Sequence, residues 1–304
     1  MNAHRGAALE ELIAIVGPTA VGKTELAVAW ARKLNGEIVS ADSRQIYRGM
    51  DIGTAKPTPD EQRQVPHHLI DIRDPDQAFS LAEFHDLALA AIADIRSRGR
   101  VPLLVGGTGQ YLAAILEGWQ IPRVAPQPAL RAELEQVAVQ EGPTTLHARL
   151  AAVDPVAASR IPPSNVRRVI RALEVYLVSG EPISRLQERQ PPPFRPRTIW
   201  LHRPRSELYA RADARIERMI AVGLVEEVAA LLARGYDWSL PAMSSLGYIQ
   251  FRPYFEGKSD LASCIERLRF DTHAFIRRQE MWFRRLPNLE IWTPDHPAWR
   301  AIIA

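Results

Sequence analysis

The apolar positions along this chain change their period several times, and each change marks an element. Leu12 to Val16 is an unbroken apolar run, too short for a helix, that stops at Gly17-Pro18; it reads as a buried strand closed by a turn. From Lys23 to Leu34 the spacing of Leu26, Ala27, Trp30 and Ala31 becomes helical. Glu37 to Ser40 reads as a second strand, Ser80 to Arg98 as an amphipathic helix, and Val101 to Val105 as a further buried strand closed by Gly106-Gly107. Such alternation predicts a parallel sheet with crossover helices. After Gly118 the pattern shifts to proline-punctuated helices rich in alanine and arginine, which last until Pro191-Pro192-Pro193, and Ile199 to Leu201 then returns to the sheet.

Composition narrows the class. With 304 residues, 46% apolar and 24% charged, the chain is ordinary globular protein. Its longest apolar stretch is far too short for a bilayer, and no basic segment with an apolar core and cleavage site opens it, so a cytoplasmic protein with no membrane attachment is expected. The single cysteine, Cys264, excludes an intrachain disulfide and a multi-cysteine metal site, and reads as a small buried residue. The net charge of +3 conceals a strong asymmetry: Arg160 to Ile220 carries 13 arginines against 6 acids, and Arg267 to Arg285 carries 6 against 2. Lysines number only four, so arginine, which grips phosphate bidentately, carries most of the positive charge. A polyanionic partner fits this distribution; solvated helix faces are the plain alternative.

Between the first strand and the first helix lies Gly17-Pro18-Thr19-Ala20-Val21-Gly22-Lys23-Thr24, a G-x-x-x-x-G-K-[ST] loop in its required context. Backbone amides and the helix N-terminus cradle phosphate oxygens there, Lys23 neutralises them, and the Thr24 hydroxyl can ligate Mg²⁺. A nucleotide hydrolase would also show an apolar strand ending in an aspartate that holds the metal. The clearest later strand ends instead in Gly106-Gly107-Thr108-Gly109, and the only rival is Leu69-Ile70-Asp71, so the loop is expected to hold a diphosphate rather than to drive ATP hydrolysis. The fold class is α/β: a P-loop NTPase-like parallel sheet with flanking helices, a helical insertion and a helical C-terminal part. Residues 1–116 are assigned to the first part of the core, 117–196 to the insertion, and 197–304 to completion of the core and the C-terminal helices.

The second strand delivers Ser40-Ala41-Asp42-Ser43-Arg44-Gln45. A carboxylate at the C-terminal end of a strand beside the P-loop strand would face the ligand crevice, which makes Asp42 the candidate general base; a turn cap is the alternative. Ile46-Tyr47-Arg48-Gly49-Met50-Asp51-Ile52-Gly53-Thr54-Ala55-Lys56-Pro57 follows, then His67-His68-Leu69-Ile70-Asp71 and Gly106-Gly107-Thr108-Gly109-Gln110-Tyr111. Together with the loop, these segments resemble the bacterial tRNA dimethylallyltransferases, and the resemblance runs through the insertion to Trp282-Phe283-Arg284. It implies transfer of a dimethylallyl group from dimethylallyl diphosphate to N6 of the adenosine immediately 3′ of the anticodon. In that reading Asp42 accepts the amine proton, Gly17 to Thr24 hold the diphosphate with Mg²⁺ on Thr24, Thr108 and Gln45 meet the substrate adenosine, and Asp42, Ser43 and Arg44 also bind the tRNA. The partner is a tRNA anticodon stem-loop, and a monomer is expected. His67 and His68 lack metal-site partners at diagnostic spacing and are read as structural.

Ser206 to Val222 predicts a helix with Ser206 as N-cap and Gly223 just past its end. Taking Leu208 as origin and about 100° per residue, Met219, Ala212 and Ile216 form an apolar face in which Arg215 is embedded at about −20°; Asp213 and Glu217 should face water. A guanidinium so placed needs an anion or a full set of acceptors, with snorkelling at the face boundary as the plain alternative. Arg211 flanks it, and the resemblance, which has two arginines four apart on this helix, implies that Arg215 binds the leaving diphosphate. Asn165 to Glu174 predicts another helix with Arg167, Arg168 and Arg171 on one side and Val169, Ala172, Leu173 and Tyr176 packed. The resemblance implies tRNA contact there and at Gly247-Tyr248. The chain departs from the family at Ile249, His273 and Met281. A P-loop small-molecule kinase, an adenylate isopentenyltransferase and a non-catalytic RNA-binding protein are the competing readings.

Overall fold

The computed structural model describes residues 9–304. These form two compact units, one built from the chain up to Leu116 together with Pro192–Ala304, the other from Glu117–Pro191. The return to the first unit therefore comes before residue 197, because the strand that resumes the sheet begins at Arg195.

The first unit is organised by a six-stranded sheet: β1 (Glu11–Val16), β2 (Gly36–Ala41), β3 (His67–His68), β4 (Val101–Gly106), β5 (Arg195–Leu201) and β6 (Leu289–Trp292), in the order β3-β2-β4-β1-β5-β6. Every neighbouring pair is parallel. All of β2 is buried, as is all of β1 except Glu11, which is why β1 reads as a continuous apolar run rather than as an alternation. Pro196 is tolerated because it pairs with Leu12 on one side only; β6 joins β5 from Thr198 onward.

One expectation is corrected. β2 does not lie beside β1: β4 separates them, with Leu103 paired to Ile13 on one side and to Ile38 on the other. Glycines at both ends of the β2–β4 seam permit the insertion, since a Cβ on Gly36 would stand 2.6 Å from the Val101 carbonyl and one on Gly106 would collide with Ala41. Asp42 consequently reaches the P-loop across the end of β4.

Helices Lys23–Leu34, Leu81–Ser97, Arg205–Ala221 and Leu261–Phe283 belong to this unit. Ser80 and Glu83 form a reciprocal capping box at the second of these, which fixes its start. The third begins at Arg205 after Pro204, with no side-chain cap, so Ser206 lies in the first turn rather than at the N-cap; the fixed φ of proline ends the preceding extended segment abruptly. Glu37 is buried and takes hydrogen bonds from Arg98 (2.5 and 2.8 Å), Arg100 (3.0 Å) and His68 (2.7 Å). The Arg98 guanidinium holds its carboxyl at about 2. His67 Nδ1 meets the Val65 carbonyl at 2.8 Å, so both histidines serve the edge of the sheet.

The second unit packs Pro128–Gln140, Pro143–Val153, Pro155–Arg160, Val166–Ser179 and Ile183–Leu186 around Leu146, Leu150, Val169, Leu173 and Val175. Proline opens each of the first three helices, where its missing N–H costs nothing. Its centre holds a charge: Glu174, fully buried, accepts from Arg131 (2.7 and 2.8 Å), Arg171 (2.6 Å) and the Gln127 N–H (2.7 Å). Burial alone would raise its pKa, but these donors outweigh burial and hold it at about 2, against an ordinary 4.5. A carboxylate lowered in the fold stabilises above its unfolded pKa and loses that contribution as pH falls towards its folded one. Glu174→Gln should therefore cost on the order of 3 kcal/mol at pH 7, and the difference should shrink as pH falls from about 4.5 to about 2. Urea unfolding across that range checks this; a pH-independent difference would contradict it.

Candidate active site

The loop after β1 is held by cations that grip its carbonyls. Lys23 Nζ donates to the Gly17 and Pro18 oxygens (2.8 and 3.0 Å), Arg211 Nε to the Ala20 oxygen (2.8 Å) and Arg203 Nε to the Val21 oxygen (3.0 Å). Gly22 sits in the left-handed region at φ 111°, where the chain turns into helix Lys23–Leu34. The first amides of that helix have no intrahelical partner and are available to an anion.

Arg215 is the most exposing test of this arrangement. Leu208, Ala212 and Ile216 on its helix are buried, as the periodicity requires, and Arg215 is partly buried beside them with, among the described residues, a single hydrogen bond, to Thr19 Oγ1 at 3.4 Å. No carboxylate pairs with Arg211, Arg215 or Arg218 among the described residues. Burial, then Arg218 and Arg211, lower the Arg215 pKa. Lys23 is lowered to about 8 by burial and by Arg215, with Asp42 opposing. Cations so placed lack a counter-anion, and a polyphosphate supplies one. Asp213, expected to face water, instead meets His273 Nε2 at 2.9 Å, whereas Glu217 is exposed and pairs with Arg269.

Across the end of β4, Asp42 Oδ1 accepts the Arg44 N–H (2.9 Å) and the Gln45 N–H (3.4 Å). The cap and the base are thus compatible: one oxygen fixes the turn, and Oδ2 has no protein partner among the described residues. Thr108 Oγ1 accepts the Ser43 N–H at 3.0 Å, which docks the glycine-rich turn onto the Asp42 turn. Three glycines permit that docking, because a Cβ on Gly107 would stand 2.5 Å from Gln279 Nε2, one on Gly109 would stand 2.5 Å from Trp282, and Gly106 abuts Ala41. Gln45 is committed internally, accepting from Ser40 Oγ (3.3 Å) and donating to the Thr54 and Ala55 carbonyls (3.4 and 3.2 Å). Arg44 donates to the Pro241 carbonyl at 2.9 Å. Thr19, Lys23, Thr24, Asp42, Thr108, Arg211 and Arg215 all line one cavity of about 1430 Å³, large enough for more than a small diphosphate.

Residues 45–286 match the model of a family described as IPP transferase. The chain belongs to the IPP transferase family. Among curated relatives, a tRNA dimethylallyltransferase of Chloroflexus aurantiacus is 88% identical over 97% of this chain and 100% of its own length, and one of Roseiflexus sp. is 66% identical over 91% of each. Among solved structures, the full-length tRNA isopentenylpyrophosphate transferase of Bacillus halodurans is 40% identical with a TM-score of 0.71, covering 97% of this chain and 94% of that one. A eukaryotic dimethylallyltransferase acting on tRNA is 26% identical with a TM-score of 0.83, covering 96% and 78%.

Within this IPP transferase fold, some residues assigned to RNA prove to be internal. The Tyr248 ring is fully buried and its hydroxyl donates to Glu227 Oε1 at 2.6 Å; burial and the Glu227 charge push its pKa up. Gly247, at φ 97°, is buried where a Cβ would stand 2.8 Å from the Gly53 oxygen, so it offers only backbone to the cavity wall. Arg171 is taken by Glu174, whereas Arg167 and Arg168 remain exposed without an ion pair among the described residues. Lys56 is buried against Asp51 and Asp71 (the latter at 2.5 Å), so Asp71 is already neutralised. Sequence reading missed Glu227, whose carboxylate also accepts the N–H groups of Asp51 (3.0 Å), Ile52 (2.8 Å) and Gly53 (3.1 Å). It looks like an ordinary first-turn acid of helix Leu224–Ala233, and nothing local distinguishes it. Tyr248→Phe should lower stability by about 1–2 kcal/mol through the lost bond to Glu227 and leave RNA affinity unchanged. Urea unfolding and filter binding separate the two, and weaker RNA binding at unchanged stability would restore Tyr248 to the RNA surface.

Proposed function

We propose that this chain transfers a dimethylallyl group from dimethylallyl diphosphate to N6 of the adenosine immediately 3′ of the anticodon in tRNA. The observation that carries the reading is the pairing, in one cavity, of a cation cluster that lacks counter-anions among the described residues with a carboxylate whose second oxygen is uncommitted among them. The N6 amine attacks the allylic carbon as its C–O bond to diphosphate breaks, and Asp42 Oδ2 takes the amine proton. Negative charge grows on the departing diphosphate, where the loop amides, Lys23, Arg211 and Arg215 stabilise it. Thr24 at the helix start fits Mg²⁺, which commonly takes few protein oxygens and completes its shell with phosphate and water. When bound, the ion supplies further neutralisation of the leaving group. The adenine must leave the anticodon-loop stack to reach Asp42. Thr108, Ser43 and the Asp42 turn are the wall it meets, and Arg167 and Arg168 take RNA phosphate. The names of the relatives support tRNA as acceptor. Among the described residues no helix is long and apolar enough to cross a membrane, and a cytoplasmic monomer is the proposed working form.

Incubation with tRNA, Mg²⁺ and radiolabelled dimethylallyl diphosphate should label the RNA without ATP; label that enters only on ATP hydrolysis would overturn the reading. Asp42→Asn should slow single-turnover transfer by roughly 10² with tRNA affinity unchanged. Arg215→Ala should lower kcat at saturating RNA. Replacement of Arg167 and Arg168 by alanine should instead raise the KM for tRNA and flatten the salt dependence by about 0.7 per lost contact. Kinetics at several salt concentrations distinguish these, and a kcat defect in the Arg167/Arg168 variant with unchanged affinity would contradict the assignment.

A further inference from the structure

Two segments must keep a fixed separation if donor and acceptor are to meet: the loop that holds diphosphate and the turn that carries Thr108. They leave different strands, β1 and β4, and one side chain spans them. Gln279 Oε1 accepts the Thr19 N–H at 2.9 Å, and its Nε2 donates to the Gly107 carbonyl at 3.0 Å. The residue is 5% exposed; its bond to Gly107 is buried and its bond to Thr19 is part-buried at the cavity wall. Gly107 is what lets the amide in, since a Cβ there would stand 2.5 Å from Nε2 and 3.7 Å from Lys23 Nζ. Gln279 rides on helix Leu261–Phe283, where Phe275, Arg278 and Trp282 join it in lining the cavity.

We propose that Gln279 is a positioning residue for the transfer, its amide setting the distance between the leaving diphosphate and the acceptor amine; this rests on the function proposed above. A neutral amide of this length satisfies both ends at once, because the Thr19 N–H needs an acceptor and the Gly107 carbonyl needs a donor. A carboxylate would keep the first bond, lose the second and set a negative charge beside Lys23 and the diphosphate. A thioether of similar volume would keep the packing and lose both. A displacement of about 1 Å in a reacting pair can cost on the order of 10²-fold in rate, so the bridge should register in chemistry more than in stability.

The test compares the full-length parent with Gln279→Met and Gln279→Glu. Titration calorimetry with inorganic diphosphate and Mg²⁺, single-turnover transfer per folded molecule, KM for tRNA and thermal midpoint are measured on each. Gln279→Met should lower the transfer rate at least tenfold at saturating substrates while the KM for tRNA stays within twofold. Gln279→Glu should in addition weaken diphosphate binding more than Gln279→Met does. Parental rates per folded molecule in Gln279→Met, or parental diphosphate affinity in Gln279→Glu, would overturn the proposal. A parent that binds diphosphate but transfers nothing to tRNA would instead defeat the proposed function, and the calorimetric order of the three proteins would still judge the bridge. Should Gln279→Met not fold, Gln279→Glu decides alone by the same two readouts.

Discussion

Positive charge brought together without negative charge is the constraint on which the site depends. Lys23, Arg211 and Arg215 converge on the loop after β1, where burial and mutual repulsion depress Lys23 and Arg215. The backbone offsets part of that cost, because the Gly17, Pro18 and Ala20 carbonyls accept from Lys23 and Arg211. Carbonyl dipoles are weaker partners than a carboxylate, so the cluster retains a demand for anion that a diphosphate meets. Such an arrangement persists only on a rigid support. The parallel sheet, whose central strands β1, β2 and β4 are almost wholly buried, and the helix bearing Arg211 and Arg215 supply one.

Charges elsewhere in the molecule show what the alternative looks like. Glu37 has four donor contacts from three side chains, Glu227 holds three backbone amides and a phenol, and Lys56 is wedged between two aspartates and a carbonyl. Glu174 does the same within the helical unit. These charges are satisfied and structural. Among the described residues, Arg215, with one weak hydroxyl contact, and Asp42, with one oxygen uncommitted, contrast with them, and both line the same cavity.

Glycine does the complementary work of bringing backbones close enough for those contacts. Gly106, Gly107 and Gly109 let the turn after β4 press against Ala41, Gln279 and Trp282 in succession, and Gly53 and Gly247 meet over the Tyr248 ring. The first set places Thr108 against the Asp42 turn. The second, with Glu227, fixes the wall formed by residues 51–57.

Much of this was legible in residue order. Apolar runs bounded by turn residues gave β1 and β4, a short strand pattern gave β2, the P-loop followed from local spacing, and the helical period placed Arg215 among Leu208, Ala212 and Ile216, because each of these depends on neighbours within a turn or two. The position of β4 between β1 and β2, the commitment of Arg171 to Glu174, the burial of Tyr248 and the bridges made by Gln279 and Glu227 were decided only in the tertiary structure. Apart from Arg171 and Glu174, which share a helical turn but meet over a carboxylate fixed by Arg131 and Gln127 from another element, each joins residues far apart in the chain, and an acid, an amide or a phenol carries no local mark of which distant donor or carbonyl it will satisfy.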